Sequence, residues 1–141
     1  MAEDAWDSVE RSDLSKAETT LRNALKGREG DCVLWNDLGL VLWQKGELKE
    51  SEKMFRTALL VRPDYEDGKL NLACLLASRG FYRQALRIVE ELAQCSQRAE
   101  IYRRKAEEYR RLAEMRKSER SGEERDESSG SEDSMQNEEL A

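Results

Sequence analysis

Slid against itself by 34 residues, the sequence falls into register. Gly46 lands on Gly80, Leu38 on Leu72, Gly39 on Ala73 and Leu42 on Leu76. Leu14, Leu48 and Tyr82 align, as do Ala17, Ser51 and Ala85, then Leu21, Phe55 and Val89, then Ala24, Ala58 and Leu92. A fixed period of this length marks a repeat architecture, in which each supersecondary unit can bury its apolar face only against its neighbours. Within a period the apolar spacing is helical. Trp35, Leu38, Gly39 and Leu42 fall at i, i+3, i+4 and i+7. Leu48, Ser51, Phe55, Ala58, Leu59 and Val61 form a second stripe after Gly46. A glycine between two such stripes supplies the left-handed residue that ends the first helix. Pro63 cannot continue the second helix, and Asp64 is placed to cap the next. Each unit therefore reads as a hairpin of two short antiparallel helices. The small residues Gly39, Ser51, Ala73 and Ala85 allow close backbone approach, and the larger Leu38, Phe55, Leu72 and Val89 fill the remaining space.

Composition then narrows the chemistry. One proline and eight glycines in 141 residues, with few β-branched runs, argue against an all-β sandwich. There is no histidine, which removes the commonest general base and the commonest metal ligand together. No phosphate-binding glycine loop, nucleophile elbow or metal-spaced cysteine cluster is present in the sequence. The adjacent pairs Glu90-Glu91 and Glu107-Glu108 point in different directions on a helix and do not share a site. The expectation is a non-enzyme that binds no cofactor and no metal. Cys32, Cys74 and Cys95 are odd in number and widely spaced, as for thiols in a reducing compartment. The opening MAEDAWDSVERSD has no apolar core, and the longest apolar run, Leu38 to Trp43, is far below the roughly 20 residues of a membrane span. A cytoplasmic protein without a membrane span is expected.

The run Trp35-x2-Leu38-Gly39-x2-Leu42, Gly46, Ser51-x3-Phe55-x2-Ala58 and Pro63-Asp64 resembles a tetratricopeptide (TPR) repeat. It departs at Leu42, where that family usually has Tyr, and at Ser51, where it usually has Ala. A second repeat keeps Leu72, Ala73, Leu76, Gly80, Tyr82 and Ala85, but lacks the opening aromatic (Lys69) and the closing proline (Gln97). The resemblance implies an all-α helical-hairpin solenoid of about six helices. Its full repeats would be residues 32–65 and 66–99, with flanking half-repeats at 12–31 and 97–116 and an N-terminal segment at 1–11. Residues 1–116 hold 21 acidic and 21 basic side chains, so this body is neutral. Residues 117–141 hold nine acidic against three basic, the whole net charge of −6. This Ser/Glu-rich stretch is read as a disordered acidic tail.

A second apolar stripe lies beside the core stripe on the first helix of each hairpin. In TPR proteins that face lines a concave groove for a peptide or helix. By resemblance the groove here includes Val33, Asn36, Asp37, Leu40, Trp43, Leu70, Asn71, Cys74, Ala77 and Lys105. Trp6 and Val9 could instead fold over it. The family's clamp for the C-terminal carboxylate of Hsp70 and Hsp90 wants Lys and Asn where Asn36 and Leu40 stand, and Lys where Ile101 stands, so the sequence points away from that clamp. An apolar groove suits an amphipathic helix or an extended apolar segment. The reading is a non-catalytic adaptor or scaffold binding another protein. A first alternative is a chaperone holding a client segment, as in the small TPR chaperones of type III secretion translocators or in co-chaperones. A second is nucleic-acid binding through the basic helix that carries Arg103, Arg104, Lys105, Arg110, Arg111 and Arg116. A neutral body with an acidic tail does not favour it, and Glu100 with Arg104 and Glu107 with Arg111 are spaced to pair along that helix instead.

Overall fold

Glycine and proline punctuate the chain where the period places them. The computed structural model describes the backbone of residues 2–126 and the side chains of residues 11–120. Over these the protein is all-helical, with α1 (Ala2–Leu25), α2 (Cys32–Gln44), α3 (Leu48–Val61), α4 (Glu66–Ser78), α5 (Tyr82–Cys95) and α6 (Ala99–Asp126). No helix among the described residues is long and apolar enough to cross a membrane. The chain forms two compact units, Met1–Leu75 and Leu76–Ala141, the division falling inside α4.

In the first unit, Asp31 caps α2 by accepting a hydrogen bond from the Val33 N–H at 3.0 Å. The turn before it is pinned by the Trp35 indole, which donates to the Glu29 carbonyl at 2.9 Å. Gly46 ends α2 with φ +82°, and the Glu47 N–H returns to the Leu42 carbonyl at 2.9 Å. Helix α3 then packs back along α2, and α1 also packs on α2. Leu25, Leu38, Leu42 and Met54 form a core cluster, joined by the partly buried Leu21, Leu34 and Trp35. The expected small-residue contact is made: Gly39 lies against the Phe55 ring, and the Ser51 hydroxyl donates to the Gly39 carbonyl at 2.6 Å. Glu18 of α1 ties to α2 through Lys45 Nζ at 2.6 Å.

Helix α3 stops where Pro63 forces Arg62 into an extended conformation. Asp64 does not cap the next helix. The Tyr65 carbonyl accepts the first bond of α4, from the Lys69 N–H at 3.1 Å, while the Asp64 carboxylate accepts from Arg62 Nε at 3.3 Å.

The second unit repeats the turn chemistry of the first. Gly80 has φ +87°, and the Phe81 N–H returns to the Leu76 carbonyl at 2.8 Å, each atom 34 residues beyond its counterpart. Helix α5 packs against α6, and Ala85, Val89, Leu92, Tyr102, Ala106 and Tyr109 are buried. The Arg116 guanidinium donates to the Gly80 carbonyl.

Two boundaries differ from the sequence reading. Helix α1 begins at Ala2, so residues 2–11 belong to it and are not a separate segment. Helix α6 continues past residue 116 to Asp126, so residues 117–126 are helical and not part of a disordered tail. The remainder of the expected tail, residues 127–141, lies outside the described residues, as do the side chains of Trp6 and Val9.

Candidate functional site

Two helical stripes in the first unit carry the expected groove residues. On α2 these are Val33, Asn36, Asp37, Leu40 and Trp43, spaced three to four apart along one side of the helix. On the first part of α4 they are Leu70, Asn71 and Cys74. One hydrogen bond sets the stripes side by side: Asn71 Nδ2 donates to Asn36 Oδ1 at 2.9 Å. Leu40, Trp43, Leu70, Asn71 and Cys74 are half-buried, and Val33 is 47% exposed.

Asn36 is 4% exposed, and its side-chain carbonyl accepts from Asn71, so it ties α2 to α4. Asn71 itself is half-buried. Trp43 is also less free than an exposed anchor. Its ring and that of Phe55 meet edge to face, with centroids 6.3 Å apart and planes at 78°, so the half-buried indole takes part in the hairpin packing.

Burial, and then the nearby Asp31 carboxylate, hold the Asp37 carboxyl above its ordinary value. Burial likewise raises the Tyr65 phenol, with Asp67, Cys32, Asp37 and Asp31 adding to the shift. The α2 side of the stripe is thus slightly acid-disfavouring as well as apolar. Val33 opens onto a different recess of about 680 Å³, walled by Arg28, Arg62 and Val61. Sequence reasoning missed Arg28 and Arg62, because both sit at helix ends where no periodicity announces a face.

Ala77 and Lys105 belong to the second unit. Ala77 is half-buried in the last turn of α4. The Lys105 ammonium lies 5.8 Å from the centre of the Tyr109 ring, a cation–π placement along its own helix. The same unit carries a recess that the sequence reading did not single out. It lies between α5 and α6, walled by Arg83, Arg87, Arg110 and Lys117 over a floor of Leu86 and Ala113. Its signal was present as cations recurring every seven residues on α6 at 103, 110 and 117, one stripe of the helix. Of the two expected ion pairs on α6, Glu100 with Arg104 forms at 3.6 Å, both side chains well exposed, while Arg110 reaches across to Glu90 of α5 at 4.0 Å.

Among the described residues, no group of three or more histidine, cysteine or acidic side chains is placed to hold a metal ion. No protein-family model matches the chain, and no curated protein does.

Proposed function

We propose that the chain is a TPR-like adaptor whose α2–α4 face in the first unit binds an apolar peptide or amphipathic helix of another protein. The observation that carries this reading is the Asn36–Asn71 hydrogen bond at 2.9 Å. It ties α2, which carries the half-buried Leu40 and Trp43, to α4, which carries the half-buried Leu70 and Cys74, and this supports reading the two stripes as one apolar strip with Asn71 as its polar group. Side chains that are partly covered and held by their neighbours lose little entropy when a partner covers the rest. An amide with donor and acceptor both available can bond a peptide backbone whatever the partner's side chains. A partner held in this way would be a client segment if the protein is a chaperone and a docking peptide if it is a scaffold; the physics of the face is the same. Glutamates interleave with the arginines of α6 at 100, 107, 108 and 114, which favours a protein partner over nucleic acid.

The test is a peptide library selected on the full chain, with affinities measured by calorimetry. Leu40→Glu and Leu70→Glu each place a charge in the strip without touching the core cluster, and each should weaken the selected peptides at least tenfold. Selected peptides that bind both variants as well as the wild type would sink the proposal. Binding that persists in the variants but fades steeply with salt would move the site to α6.

A further inference from the structure

The recess between α5 and α6 takes no part in the reading above, and its walls are cationic. Arg83 and Arg87 lie one turn apart on α5, and Arg110 and Lys117 two turns apart on α6. Arg87, Arg110 and Lys117 are exposed. Glu90 and Glu114 border the same recess, but Glu90 meets Arg110 only at the long distance of 4.0 Å. Cations therefore outnumber carboxylates there by two to one, above an apolar floor of Leu86 and Ala113.

The chain itself carries the complementary charge. Residues 127–141 hold Glu127, Glu132, Asp133, Glu138 and Glu139 and no basic residue. They follow directly on α6, the helix that forms one wall of the recess. Helix α6 passes Lys117 and is described as far as Asp126, about 14 Å further along the axis. The wall from Lys117 to Arg110 therefore lies about 14–24 Å back from Asp126, within the length of the 15 residues 127–141. Tethering also places the segment at millimolar effective concentration, above what a separate acidic peptide ordinarily reaches.

We infer that the acidic segment 127–141 docks intramolecularly in the α5–α6 recess, its carboxylates meeting the cations Arg87, Arg110 and Lys117. The contact is electrostatic and partly exposed, so it weakens with salt.

The test uses the full chain with Cys74→Ser and Cys95→Ser, so that a nitroxide attached through Ser134→Cys is the single accessible label. Amide signals of residues 83–90 and 110–117 should lose at least half their intensity relative to the reduced label, and those of α2 and α3 should not. Arg87→Glu with Lys117→Glu, both at exposed positions, should restore those signals at least twofold with an unchanged circular dichroism spectrum, and 0.5 M salt should do the same. A mixture of spin-labelled and isotope-labelled chains reports the source. Broadening that passes between chains shows a second copy in the recess and overturns the intramolecular reading. Full signals in α5 and α6, or broadening indifferent to the charge reversal, overturn it as well.

Discussion

Gly39→Ala sets helix propensity against packing, and the structure decides which wins. In an exposed helix interior the change would stabilise by about 0.5–1 kcal/mol. At position 39 the added Cβ would stand 2.6 Å from Phe55 Cε1, 2.7 Å from Cδ1 and 3.1 Å from Cζ. Comfortable carbon–carbon contact begins near about 3.5 Å, so the ring must retreat by about 1 Å. The Phe55 ring is fully buried and also meets the Trp43 ring, which limits where it can move. Overpacking of this kind costs about 1–3 kcal/mol, which exceeds the propensity gain and leaves a net loss of about 1–2 kcal/mol. Urea unfolding followed by far-ultraviolet circular dichroism and tryptophan fluorescence should show a lower midpoint at unchanged slope. A higher midpoint would refute the reasoning, because it would mean that the ring moves freely. The cause is isolated by Phe55→Leu, which removes the obstructing atoms. In that background Gly39→Ala should turn neutral or stabilising, a coupling that only direct contact produces.

Other expectations follow from the same geometry. Trp43→Ala should lower stability by about 2 kcal/mol, since the indole is half-buried and meets the Phe55 ring; an unchanged melting temperature would mean that the indole adds nothing to the hairpin packing. Gly46→Ala should cost about 1–2 kcal/mol from its φ of +82° alone, as open space surrounds it. Gly80→Ala, at φ +87°, should cost a similar amount, because the Arg116 guanidinium that its Cβ meets is the end of a flexible side chain and can swing aside; a much lower midpoint for Gly80→Ala than for Gly46→Ala would contradict this. Asp37 has a raised pKa from burial and then Asp31, so the stability tied to its neutral form is full below 3.8 and is lost as pH rises through the folded value. Asp37→Asn should therefore stabilise at neutral pH and make no difference in acid. Glu18 runs the other way: hydrogen bonds from Lys45 and then Arg22 hold it below 4.5, so its contribution is present above that value and lost as pH falls. Glu18→Gln should destabilise at neutral pH, and the two melting curves should converge on acidification.

What could be read from the sequence was whatever is decided within one helix or one turn. Gly46 and Gly80 reveal themselves because a left-handed residue after an amphipathic stripe has few substitutes, and their turns share the same hydrogen bonds 34 residues apart. The Gly39–Ser51 approach was legible because the period places small residues at matching positions of the two helices, whereas the Phe55 ring against Gly39 was not, since it was read as filling space between hairpins. The helix ends at the two termini were not. Composition alone suggested that residues 117–126 could not bury enough surface to order, yet once α6 is nucleated each added residue gains a backbone bond without burying anything. Ser, Glu and Arg do not oppose that, and the helix runs on to Asp126.

The candidate site shows the same division more sharply. Aligned by period, Asn36 matches Leu70 and Asn71 matches Asp37, so nothing in the repeat pairs the two asparagines. Their hydrogen bond joins residues 35 apart, one step off the repeat, because side chains on neighbouring helices meet according to the lateral offset of the helices and not their alignment. That offset makes Asn36 an internal tie between α2 and α4. It also explains why an apolar strip can be read from sequence while its polar contacts cannot. Hydrophobic faces follow from periodicity, which is local. The choice of which amide stays available to a partner depends on which neighbour has already claimed the other.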